Sequence, residues 1–277
     1  MDKLIITAAL TGGIHGKEAN HVLPEQPDEI IRDAFDCYNA GAAVVHLHAR
    51  DLHGNGVGDP NIFGEINSGL RAKCKVVIQN TTGGPGIPIN ERIKSLDADP
   101  DSASLNMGSI VFFYQGKEVT FYNLRSEIEV FAAEMIKRDI KPELETYNPS
   151  MFGEIENLIS KGLLNKPCYV NIVLGVGGMG GYPGTPENLV TMIRQLPEGS
   201  KFNVTGIGRY QLGLNTMAIL AGGNTRVGLE DNVFYKKGEL AKSNAQFVER
   251  VVRLARELGR EIATPEEARE ILGIKKR

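Results

Sequence analysis

Residues 41–50 of this 277-residue chain read GAAVVHLHAR, a short run of small and β-branched residues that contains two histidines. Such a run predicts a β-strand, here over 44–50, because β-branched side chains favour extended backbone. Strands covered on both faces are normally apolar throughout, so His46 and His48 break the expected pattern. Residues two apart in a strand project from the same face, and both imidazoles are therefore predicted to point in one direction.

Apolar runs of the same kind recur on either side of this strand, and helical patterns separate them. Eight strands alternating with helices over this length predict one α/β domain over 1–277 with a (β/α)8 TIM-barrel fold. An open, doubly wound sheet is the main alternative, but residues 11–15, TGGIH, do not match the GxGxxG of its first turn. The predicted strands are 4–10, 44–50, 76–82, 102–108, 141–147, 168–175, 201–207 and 224–231. The predicted helices are 28–40, 61–73, 89–97, 124–138, 150–163, 186–196, 212–222 and 241–259, and Thr264 followed by Pro265 predicts the start of one more.

The composition indicates a globular protein of the cell interior. The chain is 42% hydrophobic and 23% charged, and its net charge of −3 gives no electrostatic reason to expect nucleic acid. No run of about 18 apolar residues predicts a membrane span. Cys37, Cys74 and Cys168 show no paired spacing, which is typical of reduced thiols and of a cytoplasmic protein.

The two histidines of strand two are candidate metal ligands, because the carboxyl ends of barrel strands carry the active site. His46 and His48 are predicted to share one divalent metal ion, with zinc as the expected metal. All five histidines lie within residues 15–53, so the third ligand has to be a carboxylate. Strand eight closes the barrel beside strand one and supplies Glu230. The alternatives are two satisfied core histidines and a structural ion pair between Arg226 and Glu230.

Polar residues also end three neighbouring strands. Glu143 and Glu145 share one face of strand five, where one of them is a candidate partner for a metal-bound imidazole, or both are buried carboxylates bonded to adjacent strands. Candidate contacts for a substrate carboxylate follow strands three and four, namely Thr81, Thr82, Gly83 and Asn106.

Two glycine-rich stretches, 175–182 and 206–209, follow strands six and seven. Backbone amides in such loops can bind phosphates, and a nearby guanidinium can clamp them; the alternative is ordinary flexible loops. The candidate phosphate contacts are Gly178, Gly180, Gly181 and Arg209.

Together these motifs resemble the β-keto acid cleavage enzyme family over nearly the whole chain. The most specific matches are HLH (46–48) and RVGLEDN (226–232), supported by AALTG (8–12), QNTTGG (79–84), SLNMG (104–108), KPELE (141–145), GIGR (206–209) and the segment 241–272. The resemblance implies a TIM barrel that assembles as a homotetramer, with zinc held by His46, His48 and Glu230.

The resemblance also implies the reaction, in which a β-keto acid and acetyl-CoA give acetoacetate and the acyl-CoA of the remaining fragment. Asp231 matches the acid/base carboxylate of the family and Arg226 a polar residue essential to the site, with Glu143 as a further catalytic candidate. Thr81 and Thr82 take the place of a Ser–Thr pair that contacts the substrate carboxylate. Two other functions stay open, a CoA-independent zinc-dependent aldolase or hydrolase and a non-catalytic, metal-stabilised binder.

The first loop bears on which β-keto acid is used. Family members that act on an amino-substituted acid carry an acidic residue there, whereas this chain has Ile14 and His15, with no carboxylate before Glu18. A buried ammonium group without a partner costs several kcal/mol. We therefore expect Ile14 and His15 to contact a substrate whose far end is neutral or anionic.

Overall fold

Eight parallel strands form a closed barrel in the computed structural model, which describes residues 2–114 and 116–275. Around the barrel the strands follow the order β1-β8-β7-β6-β5-β4-β3-β2, so each strand pairs with its neighbours in sequence and β8 closes against β1. This confirms the predicted TIM barrel. The strands are β1 (Ile6–Ala9), β2 (Val44–Leu47), β3 (Val77–Asn80), β4 (Ser102–Asn106), β5 (Lys141–Thr146), β6 (Tyr169–Leu174), β7 (Lys201–Gly206) and β8 (Asn224–Val227).

The helices surround the barrel, and four of them begin at a residue whose side chain caps the first turn. Thr264 Oγ1 accepts a hydrogen bond from the backbone N–H of Glu267, which confirms the predicted start of the last helix at Pro265. The predicted helix 89–97 is a single α-helical turn that continues as a 3-10 helix, Ile93–Ala98. The helices are α1 (Pro27–Ala40), α2 (Pro60–Lys73), α3 (Ile89–Arg92), α4 (Arg125–Lys137), α5 (Phe152–Ser160), α6 (Pro186–Ile193), α7 (Gln211–Leu220), α8 (Asn244–Glu257) and α9 (Pro265–Leu272).

The two faces of the barrel strands carry different side chains. Residues that face the helices are mostly apolar, and Ile6 and Val45 pack there in a buried cluster with Phe247 of α8. The bottom of the barrel is closed by a second apolar layer, in which Val44 and Val77 pack with α9. Above it the interior is polar, with Thr7, Gln79, Glu143, Asn171, Asn203 and Thr205 fully or almost fully buried. The polar interior leads up to the carboxyl ends of the strands.

Three short hairpins extend the loops at that end of the barrel, and the sequence analysis predicted none of them. They pair Ala49–Arg50 with Gly56–Val57, Ile110–Tyr114 with Lys117–Phe121, and Phe234–Lys236 with Glu239–Leu240. We call the second one, residues 110–121, the rim hairpin. Within the parts of the chain just described, no helix has the length and hydrophobicity that crossing a bilayer requires.

Candidate active site

A cavity of about 270 Å³ opens at the carboxyl ends of the barrel strands, where barrel enzymes bind their substrates. Its base is polar. The side chains that form this base come from β2, β4, β5 and β8 and from the segments that follow β2 and β8. They are His46, His48, Asn106, Glu145, Arg226, Glu230 and Asp231.

The three predicted metal ligands meet at the base of the cavity. His46 lies within β2, His48 directly follows that strand, and Glu230 lies in the turn after β8. Glu230 Oε1 is 3.5 Å from His46 Nε2 and 3.4 Å from His48 Nε2. One candidate ligand atom from each residue lies within 4.8 Å of the others, which is close enough to share a single metal ion.

His46 is held in the form that binds a metal. Its Nδ1 lies 2.8 Å from Gln79 Oε1 and donates to it, so that the Nε2 lone pair faces Glu230. Burial, together with the nearby Arg226 charge, lowers the pKa of His46 to about 3, so the imidazole is neutral. The prediction that Glu143 or Glu145 orients this imidazole is wrong, because β3 rather than β5 is the neighbour of β2 and sets Gln79 opposite His46.

Glu230 has an oxygen that fits a cation. Its Oε1 accepts from Arg226 Nη2, whereas its Oε2 is buried and has no hydrogen-bond partner among the described residues. Burial opposes ionisation, but Arg226 and the two histidines together hold the pKa of Glu230 well below its usual value. Two neutral imidazole nitrogens and one carboxylate with open positions are a donor set suited to catalytic zinc.

The turn after β8 brings two consecutive carboxylates to one guanidinium. The strand ends at Val227 instead of continuing to 231 as predicted; alternation along a longer strand would have pointed Glu230 and Asp231 in opposite directions. Gly228 starts the turn at φ 148°, where a Cβ would lie 1.9 Å from the Ala9 carbonyl oxygen. As a result Asp231 forms a bidentate pair with Arg226, with Oδ2 2.9 Å from Nε and Oδ1 2.9 Å from Nη2.

Negative charge exceeds positive charge around Arg226. Glu145 Oε1 is 3.2 Å from Arg226 Nη1, so this guanidinium contacts three carboxyl groups. Burial, which Arg226 offsets only in part, raises the pKa of Glu145 to about 8, with neighbouring carboxylates adding to the rise. Burial and the adjacent Glu230 likewise raise the pKa of Asp231. A divalent cation at His46, His48 and Glu230 would offset this excess of negative charge.

All but one of the predicted substrate contacts line the cavity. Thr81, Gly83 and Asn106 line it, together with Ile14 and His15 of the first loop. Thr82 does not, because it alternates with Thr81 and its Oγ1 donates to the Ser104 carbonyl at 2.6 Å. Asn106 Oδ1 accepts from the Tyr147 hydroxyl at 2.7 Å, which adds Tyr147 to the cavity wall.

Glu143 also stays outside the cavity. It lies two residues before Glu145 on the same face of β5, about 7 Å deeper in the barrel. There it is fully buried, and it accepts from Asn203 Nδ2 at 3.3 Å and from Asn171 Nδ2 at 3.5 Å. The prediction of Glu143 as a catalytic group is therefore corrected, and Glu145 is the strand-five carboxyl that reaches the cavity.

Arg50 shapes the first loop and was missed in the sequence analysis. Its buried guanidinium donates to the carbonyls of Thr11 at 3.0 Å, Gly12 at 2.8 Å and His15 at 2.5 Å. Gly12, at φ 62°, passes so near Glu230 that a Cβ would lie 2.8 Å from its Cγ. The signal that could have indicated this role is a cation, Arg50, two residues after His48.

The predicted phosphate contacts border the cavity without lining it. The loop with Gly178 and Gly180 packs along the rim hairpin, where Val111 and Met179 exchange backbone hydrogen bonds of 2.9 and 2.7 Å. Arg209 is exposed and stacks on Tyr210 at 4.9 Å from the ring centroid. Val176 and Ile207, from the same two loops, do line the cavity.

The chain is similar to known proteins over nearly its whole length. A family model described as beta-keto acid cleavage enzyme matches residues 3–274. The chain is 42% identical to a 3-keto-5-aminohexanoate cleavage enzyme of Fusobacterium nucleatum over the full length of both proteins. It is 34% identical to a 3,5-dioxohexanoate:acetyl-CoA acetone transferase of Paraburkholderia graminis, over 99% of this chain and 96% of the relative. Among solved structures, the apo structure of ObcA superposes with a TM-score of 0.79 at 19% identity, over 91% of this chain and 66% of that one, which supports the fold alone.

Proposed function

Because the chain belongs to the β-keto acid cleavage enzyme family, we propose that it is a zinc-dependent enzyme acting on a β-keto acid and acetyl-CoA. The products are acetoacetate and the acyl-CoA of the remaining fragment. The observation that carries the proposal is the cluster of His46, His48 and Glu230 at the base of the cavity, with Asp231 and Arg226 beside it. The acetyl-CoA in the name of the relative from Paraburkholderia graminis supports the second substrate.

The polar base of the cavity has the parts that this reaction needs. His46, His48 and Glu230 would hold the zinc, whose Lewis acidity stabilises negative charge on a keto oxygen when the ion is bound. Arg226 offsets the charge of the substrate carboxylate and fixes the orientation of Asp231. Thr81 and Asn106 line the same space and offer hydrogen bonds to that carboxylate.

Asp231 moves the proton in this proposal. It takes a proton from the carbon between the ketone and the carboxylate, and returns it to the corresponding carbon of acetoacetate. The bond between this carbon and the substrate acyl group breaks, a bond to the acetyl group forms, and CoA passes from acetyl to the released acyl group. Atoms and charge balance, because one β-keto acid and one thioester enter and one of each leaves.

Coenzyme A approaches over the rim in this account. The exposed Arg209 and the loop with Gly178, Gly180 and Gly181 are the proposed contacts for its phosphates, because they border the open side of the cavity. Assembly as a homotetramer is part of the proposal on the strength of the family resemblance.

An isotope experiment tests the proposed transfer. Zinc-loaded protein is incubated with acetyl-CoA carrying ¹³C in the acetyl group and with unlabelled 3-oxohexanoate, and the products are analysed by mass spectrometry. The expected result is ¹³C in acetoacetate and an unlabelled acyl-CoA, in equal amounts. Cleavage of the acid without acetyl-CoA would instead indicate an aldolase or hydrolase. No turnover with any β-keto acid would contradict the proposal altogether.

A further inference from the structure

The upper wall of the cavity differs from its base in being largely apolar. One part of it comes from the rim hairpin, and the other from the end of β6 and the loops after β6 and β7. The lining side chains are Ile110, Phe112, Tyr114 and Phe121 of the rim hairpin, Val173 of β6, and Val176 and Ile207 of the two loops. Such a wall favours hydrocarbon over charged groups, since burial of apolar surface is the main favourable contribution there.

The rim hairpin presents one face to the cavity and the other to solvent. Ile110 and Phe112, two residues apart, both line the cavity, and Phe121 pairs directly across from Ile110. Phe112 is only 7% exposed, whereas its neighbour Phe113 is 63% exposed. Side chains alternate between the two faces of the hairpin, so Phe112 and Phe121 point into the cavity and Phe113 lies outside it.

Two sets of contacts hold the rim hairpin in place, one where it joins the barrel and one along its first strand. Arg92 Nη2 donates to Asn123 Oδ1 at 2.6 Å, and its guanidinium lies 4.9 Å from the centroid of the Phe121 ring. The first strand of the hairpin is joined to the loop after β6 through the backbone hydrogen bonds of Val111 and Met179. The wall is thus built into the barrel rim.

The charged side chains that line the cavity all lie at its base. Among the described residues that line the cavity, Arg226 is the only lysine or arginine, and the three carboxyl groups all contact it. His15 donates from Nε2 to the Leu229 carbonyl oxygen at 2.9 Å, so this ring nitrogen is already bonded. Neither an ammonium group nor a second carboxylate on the far end of a substrate would meet an opposite charge along the upper wall.

We propose that the physiological substrate is a β-keto acid whose far end is an uncharged hydrocarbon chain, bound against Phe112 and Phe121 of the rim hairpin. This inference rests on the proposed function and narrows its substrate class. The proposal excludes a substrate with an anionic far end, which the residues of the first loop, Ile14 and His15, were compatible with. Phe112 and Phe121 are the specificity-determining residues in this account, while the base performs the same chemistry on any β-keto acid that reaches it.

The first test compares three acids of similar size in the acetyl-CoA-dependent reaction, namely 3-oxohexanoate, 5-amino-3-oxohexanoate and 3-oxoadipate. We expect kcat/KM for 3-oxohexanoate to exceed that of either charged acid by about tenfold or more, and to rise about fourfold per added methylene until the cavity is filled. Equal or higher kcat/KM for either charged acid would overturn the inference.

Variants of the rim hairpin provide the matched control. Phe112→Ala is expected to lower kcat/KM for 3-oxohexanoate about tenfold or more and to leave 3-oxoadipate within about twofold. Phe113→Ala, on the same strand but outside the cavity, should change neither value. If Phe112→Ala does not fold, Val176→Arg places a cation at a half-exposed position of the cavity wall and should raise kcat/KM for 3-oxoadipate relative to that for 3-oxohexanoate. Unchanged preferences in the variants that fold would contradict the assignment.

Binding separates this inference from the proposed function. If no acid reacts with acetyl-CoA, the proposed function fails. Titration calorimetry of the same three acids with zinc-loaded protein then still tests whether the upper wall selects a hydrocarbon chain. The inference predicts about tenfold tighter binding of 3-oxohexanoate than of the charged acids. Equal affinities would show that the upper wall does not select a hydrocarbon chain.

Discussion

The base and the upper wall of the cavity are held in different ways. At the base, His46, Arg226 and Glu230 lie in or next to barrel strands and are fixed by short, directional hydrogen bonds. The upper wall lies mainly on an inserted hairpin and on loops, and its side chains are held by apolar packing. The difference suggests a division of labour, in which the base determines the reaction and the wall determines which acid undergoes it.

The largest expected effect is at the base, in Glu230→Gln. The variant loses the anionic metal ligand, so we expect loss of bound zinc and a fall in activity of about a thousandfold or more for every acid, since metal-ion stabilisation contributes several kcal/mol. Glu239→Gln, a partly exposed glutamate in an ion pair with Lys236, is the matched control and should retain both. Metal analysis and kcat/KM are measured together. A Glu230→Gln protein that remains active on some of the acids would contradict the claim that the base determines the reaction for every acid.

Asp231→Asn should separate the chemistry from metal binding. The amide keeps a hydrogen-bond acceptor for Arg226 but cannot carry the proton, so we expect kcat to fall about a hundredfold or more with zinc content unchanged. Single-turnover kinetics with acetyl-CoA measure the effect. A rate like that of the wild type would remove Asp231 from the proposed reaction.

Gln79→Ala removes the support behind a ligand instead of the ligand itself. Without the acceptor for its Nδ1–H, His46 loses its fixed orientation, and zinc affinity should weaken about 10- to 100-fold. Competition with a fluorescent zinc chelator gives the affinity. Full activity should return at saturating zinc, with substrate preference unaltered; a changed preference would mean that the base also selects the acid.

Arg92→Met tests the wall without touching the cavity. It removes the hydrogen bonds from Arg92 to Asn123, to the Tyr122 carbonyl and to the Thr82 carbonyl, so the rim hairpin is less firmly held and should bind hydrocarbon chains less well. We expect KM for 3-oxohexanoate to rise about fivefold to tenfold, with zinc content and kcat for 3-oxoadipate unchanged. A parallel loss for all acids would instead indicate damage to the base.

The smallest effect on activity is expected at Asp33, whose titration bears on stability instead. Its carboxylate accepts a hydrogen bond from Asn244 Nδ2 at 2.6 Å, behind the turn after β8. Burial raises the pKa of Asp33 to about 7. Its contribution to stability is therefore complete below about pH 4 and is lost as the pH rises through 7.

Asp33→Asn keeps the acceptor and removes the titration. Urea unfolding with chelator present should show that between pH 4 and pH 8 the wild-type protein loses more stability than the variant, by up to about 4 kcal/mol for a shift of about three pKa units. The chelator prevents zinc binding from adding a pH dependence of its own. Equal slopes would contradict the role given to Asp33.

The sequence was most informative where strand alternation determines direction. The direction of His46 follows from the alternation along its strand. The barrel order follows from the regular succession of strands and helices, which leaves few possible arrangements. Gln79 could not be predicted as the partner of His46, since this contact depends on the register between β2 and β3, which the sequence pattern does not give. The orientation of Asp231 depends on the turn at Gly228, which the alternation of a longer strand conceals. The rim hairpin was missed although the apolar run 110–114 and the β-favouring residues Val119, Thr120 and Phe121 flank Gly116, because its signal is short and lies inside a loop.

Zinc titration of metal-stripped protein tests the central claim most directly. Protein freed of metal by chelation is titrated with zinc, and acetyl-CoA-dependent turnover of 3-oxohexanoate is measured at each addition. The account predicts no turnover at the start, a linear rise, and saturation at about one zinc per chain, as expected for a single site with three protein ligands. Full turnover by protein that contains no metal would contradict it.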